Sequence, residues 1–168
     1  MNSRLSALST TALAIGLVVA ASSPSMGADA AQLRTDMRKL WEDHVTWTRL
    51  YIVSVGAALP DKDLTAKRLI QNQVDIGNAI KPFYGEDAGN KLTELLKEHI
   101  LGAADLLAAA KAGDQAKVAT EKARWYRNAD DVAAFLSAAN PKNWPLARTS
   151  ANRRMWSWIL SYAWMSSA

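Results

Sequence analysis

Residues 31–59, AQLRTDMRKLWEDHVTWTRLYIVSVGAAL, place Met37, Leu40, His44, Trp47, Tyr51, Val55 and Ala58 at spacings of three and four. That is the period of a helix with one buried face, and Leu59-Pro60-Asp61 supplies its stop. Three more segments follow the same pattern. Asp61 or Asp63 can cap a second helix running to about Ile80 on Ala66, Leu69, Ile70, Gln73, Gly77 and Ile80, where Lys81-Pro82 ends it and Phe83-Tyr84-Gly85 turns. The third starts at Glu86 or Asp87, whose charges suit the positive end of a helix dipole, and reaches Ala110 on Leu92, Leu95, His99, Gly102 and Leu106. After Lys111-Ala112-Gly113-Asp114, a stop followed by a cap, the fourth runs from Gln115 to about Ala139 on Val118, Trp125, Ala129, Val132 and Leu136, and Asn140-Pro141 closes it. Short loops between long helices predict an all-α, antiparallel, up-down-up-down four-helix bundle over residues 31–145.

The flanks read differently. Residues 1–30 have a basic Arg4, an apolar run from Leu5 to Ala21 and small residues at Ala28 and Ala30, the pattern of a signal peptide cleaved after Ala30, with Gly27 as second choice. The expected location is therefore periplasmic or extracellular. The alternative is an uncleaved membrane anchor. No cysteine occurs in the 168 residues, which excludes disulfides, thiolate metal sites and a cysteine nucleophile. The net charge is +4, but residues 31–145 hold 16 basic against 15 acidic side chains, and Arg148, Arg153 and Arg154 account for most of the excess. A body so close to neutral gives no reason to expect a nucleic acid partner.

His44 and His99 lie near the middle of the first and third helices, which run parallel in an up-down-up-down bundle, so both rings should sit at one height. Counting along the other helices adds Asp75 or Asn78 from the second and Tyr126, Asn128 or Asp130 from the fourth, flanked by Asp43 and Glu98. Imidazole and carboxylate from facing helices are the usual ligands of a transition metal, and the candidate set is His44, His99, Asp75, Glu98 and Asn128. Two core histidines satisfied by neighbouring polar groups are the other reading. No helix carries Glu-x-x-His, so the di-iron carboxylate pattern is absent. Trp41, Trp47, Tyr51 and Trp125 read as core residues before an aromatic ligand cage. There is no phosphate loop, no G-x-S-x-G, and no nucleophile paired with a base.

Four ordered motifs carry a resemblance: residues 40–49 (LWEDHVTWTR), 78–85 (NAIKPFYG), 95–100 (LLKEHI) and 125–130 (WYRNAD). Over about residues 33–145 the chain resembles a family of uncharacterised bacterial exported helical proteins, often labelled glycosyltransferase or acetylglutamate kinase. The resemblance implies an exported, all-helical protein. Neither label has support in the residues, which lack a sugar-nucleotide fold, a phosphate loop and the length of an amino-acid kinase. Members of that family generally continue with two further helices that echo the first part and carry their own histidines. In their place this chain has residues 146–168, with three of its seven tryptophans, three arginines and no acidic residue. The tail reads as a diverged helix on the bundle, as an interfacial segment making weak membrane-surface contact, or, the slightly preferred reading, as an out-of-frame end.

Three functions are consistent with these residues. The leading expectation is an exported bundle that binds a small ligand or protein partner, with a transition metal at the histidines as one version. The second is a structural or interaction protein of the envelope in which the histidines only pack. An enzyme, as the family labels suggest, ranks third.

Overall fold

A computed structural model describes residues 26–142 and 144, and their side chains from Ala30 onward. The proposed signal segment up to residue 25 and the tail 146–168 lie outside these described residues. Four helices form the chain: α1 (Met26–Gly56), α2 (Lys62–Tyr84), α3 (Glu86–Lys111) and α4 (Gln115–Ala139), with no strand among the described residues. Each helix packs on the next in sequence, α1 on α2, α2 on α3 and α3 on α4, giving a four-helix bundle.

The bounds of α3 and α4 follow the local signals. Asp114 caps α4 as its spacing predicts, its carboxylate accepting the Lys117 N–H at 2.9 Å. Three ends differ from the sequence expectation, the first being the start of α1 at Met26 rather than Ala31. The second helix does not stop at Lys81-Pro82: α2 runs through Pro82 to Tyr84, and the Gly85 N–H closes it on Lys81 O at 2.8 Å. Pro82 sits in the last turn, where its missing N–H removes a single hydrogen bond, and Ile80 anchors that turn in the apolar core. Asp61 precedes α2 but makes no side-chain cap, because its carboxylate instead accepts the Ser54 hydroxyl at 2.8 Å.

That contact belongs to a turn which ends α1 at Gly56, three residues before Leu59. The Leu59 N–H donates to Ser54 O at 2.8 Å and the Ala58 N–H to Val55 O at 3.3 Å, with Ala58 at φ 54°. This is a Schellman end with an alanine in the left-handed position. The end of α3 repeats it, with Asp114 N–H on Ala109 O, Gly113 N–H on Ala110 O, and a glycine, Gly113, at φ 72°. Alanine pays a steric cost there that glycine does not. Ala58→Gly should therefore raise stability by about 0.5–1 kcal/mol in urea denaturation, whereas Gly113→Ala should lower it by a similar amount.

The core is centred on Ile76, Leu92 and Leu96, with Met37, Leu40, Ile80 and Phe135 packed around it. The buried apolar side chains among the described residues come from α2, α3 and α4, while the inward stripe of α1 is only half-buried. Between α2 and α3 the backbones nearly touch at Gly77 and Gly89: a Cβ on Gly77 would lie 2.6 Å from Gly89 O, and one on Gly89 would lie 2.7 Å from Gly77 O. Small residues permit that approach, and none but glycine fits it.

Candidate functional site

Both histidines are inside the bundle, and each is held by an asparagine of the following helix. Asn72 of α2 donates through Nδ2 to Leu40 O (3.0 Å), which fixes its Oδ1 as the acceptor for His44 Nδ1 at 3.2 Å. Asn128 of α4 does the same, donating to Leu95 O (3.1 Å) and facing His99 Nδ1 with Oδ1 at 2.8 Å. In each pair the imidazole Nδ1 therefore donates to the asparagine oxygen; Gln73 Nε2 also stands 3.2 Å from His44 Nδ1, but its two hydrogens go to the nearer Leu69 O and Asn72 Oδ1. Burial favours the neutral ring, in which Nε2 is then the unprotonated nitrogen. It lowers the pKa of His44 against an opposing contribution from Asn72, and it lowers that of His99 to about 4, with Asn128 opposing and His44 adding to the shift. Trp125 stacks on the His99 ring at 4.8 Å and donates its indole N–H to His99 O at 3.0 Å, while Trp41 meets His44 edge-on at 5.1 Å.

The two clasps are copies in register. A shift of 55 residues carries Leu40 and His44 onto Leu95 and His99, and Ala58 onto Gly113; a shift of 56 carries Arg68 and Asn72 onto Arg124 and Asn128. The helix pairs α1–α2 and α3–α4 thus repeat one design, a Leu-x-x-x-His helix followed by an Arg-x-x-x-Asn helix. The interior space lies between them. One cavity of about 320 Å³ is lined by the equivalent pairs His44 and His99, Tyr51 and Leu106, Ile52 and Leu107, and Leu69 and Trp125. A second of about 410 Å³ is lined by Met37 and Leu92, Ile76 and Val132, and Ile80 and Leu136. Trp41 and Leu96, themselves equivalent, line both cavities.

The histidine cavity is apolar apart from a small polar group. Gln73 is fully buried and donates Nε2 to Leu69 O (2.8 Å) and Asn72 Oδ1 (3.0 Å). Both partners are acceptors, so the amide nitrogen must face them, and Oε1 is left with no hydrogen bond. The buried Thr48 Oγ1 is also without a partner. Both residues line the histidine cavity. Each such oxygen costs about 1–3 kcal/mol when left unsatisfied, so a ligand group able to meet them would be favoured here.

The sequence-derived set is only partly assembled. His44 and His99 share a cavity, and Asn128 supports His99 from behind. Asp75 lies elsewhere, in an ion pair with Arg68 at 3.7 Å, and Glu98 is exposed on the outer face of α3; neither lines the cavity. Asn78 is exposed, and Asp43 pairs with Arg68 at 3.2 Å. Among the described residues no three His, Cys, Asp or Glu side chains group to hold a metal ion. The α2 member was misplaced because the height count assumed a first helix ending at Leu59 and a second starting at Asp63; counted from Gly56 and Asp61 the level arrives at Gln73, beside Asn72. The repeated spacings would have found Asn72 directly. Trp41, Tyr51 and Trp125 line the cavity, whereas Trp47 packs under the Arg68 guanidinium at 5.4 Å.

No protein-family model, curated protein or solved structure matches this chain.

Proposed function

We propose that the protein is an exported helical bundle that takes up a small, mostly apolar ligand between its two helical hairpins. The observation that carries this reading is the half-open cavity that joins His44, His99, Thr48 and Gln73 to apolar walls, with two of its buried oxygens unpaired. An apolar pocket with a few convergent polar groups is the usual form of a small-molecule site. Export rests on the signal pattern of residues 1–30, and the reading includes membership of the exported family that residues 33–145 resemble. The up-down-up-down arrangement is part of the proposal: Lys111, at the end of α3, donates to the Val55 and Gly56 carbonyls at the end of α1, as parallel first and third helices require.

Titration of the purified protein with N-phenylnaphthylamine, an uncharged fluorophore that brightens in apolar surroundings, tests the reading. Saturable binding at one site is expected. Ala103→Phe, which fills the cavity from α3, should weaken it about tenfold or more without lowering the melting temperature. Binding that is non-saturable, or indifferent to Ala103→Phe, would return the protein to the alternative of a structural or interaction protein with packing histidines.

A metal version has one specific observation in its favour: each imidazole donates Nδ1–H to a carbonyl oxygen, the arrangement that orients Nε2 in metal-binding histidines. Elemental analysis of purified protein should then show a transition metal that His44→Ala removes.

A further inference from the structure

The two hairpins are equivalent in register but not in polarity. Thr48 and Gln73 of the first correspond to Ala103 and Ala129 of the second, so His44 and His99 face the histidine cavity from both hairpins but the further polar groups, Thr48 and Gln73, come from α1 and α2. Leu69 and Trp125, Tyr51 and Leu106, and Trp41 and Leu96 preserve apolar character across the same relation. A duplicated interface built only for packing would place apolar groups on both sides. Here one copy carries a buried amide oxygen and a buried hydroxyl with no partner in the fold, beside the neutral imidazole of His44.

The polarity of those groups defines the missing partner. Gln73 Oε1 can only accept a hydrogen bond, because its amide nitrogen is committed to Leu69 O and Asn72 Oδ1. His44, with its proton on Nδ1 against Asn72, also offers an acceptor at Nε2. A carboxylate would bring further acceptors and a negative charge against these atoms, and the described residues lining the cavity include no lysine or arginine. A hydroxyl supplies the donor that Gln73 lacks and can accept from Thr48 Oγ1. Beyond Trp41 and Leu96 the second cavity is walled by Met37, Leu92, Ile76 and Val132, which suits a hydrocarbon body.

We infer that the ligand is a neutral, hydroxyl-bearing amphiphile, bound with its hydroxyl on Gln73 and Thr48 of the first hairpin and its hydrocarbon chain extending past Trp41 and Leu96. The inference rests on the binding function proposed above and specifies the chemistry of its ligand. It differs from that function in predicting discrimination between head groups on one and the same chain.

The test is tryptophan fluorescence titration of the full chain at neutral pH with dodecanol and with dodecanoate, below the concentration at which either aggregates. Dodecanol should bind about tenfold or more tightly than dodecanoate. Thr48→Val, at a hydroxyl that bonds nothing in the fold, should reduce the preference severalfold, and Gln73→Met should abolish it while dodecanoate binding changes little. Circular dichroism and melting curves identify any variant that fails to fold, and Thr48→Val keeps the test decisive if Gln73→Met does not. Equal affinity for the two head groups, or a preference that survives Thr48→Val unchanged, overturns the inference and leaves the apolar binding site standing. Absence of binding by both amphiphiles and by the uncharged fluorophore overturns the binding function itself.

Discussion

Gly77→Ala should destabilise the protein by about 2–3 kcal/mol, the largest effect expected from a single added methyl group in this chain. The new Cβ would run into the Thr93 hydroxyl and stand 2.6 Å from the Gly89 carbonyl oxygen. A side chain can turn away, but the Gly89 carbonyl is part of α3 and cannot move without shifting the helix. Thr93 is also committed, its hydroxyl donating to Gly89 O at 3.0 Å. Relief therefore requires α2 and α3 to separate. Those helices join the α1–α2 pair to the α3–α4 pair, so the separation would change the width of the cavities as well as stability. Gly89→Ala should behave similarly, because its Cβ would meet the Lys81 side chain and stand 2.7 Å from Gly77 O. Gly56→Ala is the control: nothing lies within 4 Å of its Cβ, and at the end of α1 it should be neutral or slightly stabilising. Urea denaturation of the three variants decides the matter. A Gly77→Ala midpoint equal to that of wild type would contradict the close approach.

The second large effect is a loss of stability in mild acid. His99 is buried and its pKa is lowered from 6.5 to about 4, by burial first and by the neighbouring His44 to a smaller degree, with the Asn128 hydrogen bond in opposition. The unfolded chain therefore takes up a proton on this residue at a higher pH than the native protein does. Stability from the neutral ring is complete above pH 6.5 and falls as the pH drops towards 4, because protonation then favours the unfolded state. The full difference is on the order of 3 kcal/mol, and most of it should be gone by pH 4.5. His44 titrates in the same direction. Denaturation curves between pH 7.5 and 4.5 should show this decline, and His99→Gln, which has no group titrating in the window, should flatten it. An equally steep decline in His99→Gln would assign the acid sensitivity to other groups.

The fold was legible because its signals are local. Asp114 caps α4, Gly113 terminates α3, and three- and four-residue spacings mark the helices; each acts within a turn or two of chain. The misreadings arose where a local signal met a tertiary one. Pro82 ordinarily marks a stop, yet the core contact of Ile80 and a single lost hydrogen bond let α2 continue. Leu59-Pro60-Asp61 marks the end of α1 only approximately, because the Schellman turn at Ala58 and the Ser54 hydroxyl on Asp61 end it earlier. That offset of three residues, together with the two by which Asp61 precedes Asp63 at the start of α2, exchanged Asn72 and Gln73 for Asp75 and Asn78 in the expected polar layer.

The sequence by itself determined that the chain is helical, where α3 and α4 begin and end, and that His44 and His99 lie on inward stripes. Periodicity and capping are properties of one helix and are written along it. Only the tertiary structure decided that asparagines rather than carboxylates hold the two rings, that Gly77 and Gly89 bring α2 and α3 into backbone contact, and that Thr48 and Gln73 share the histidine cavity with unpaired oxygens. Those facts depend on how far one helix is displaced along another, which connecting turns and close-packed surfaces fix jointly and no single helical segment contains.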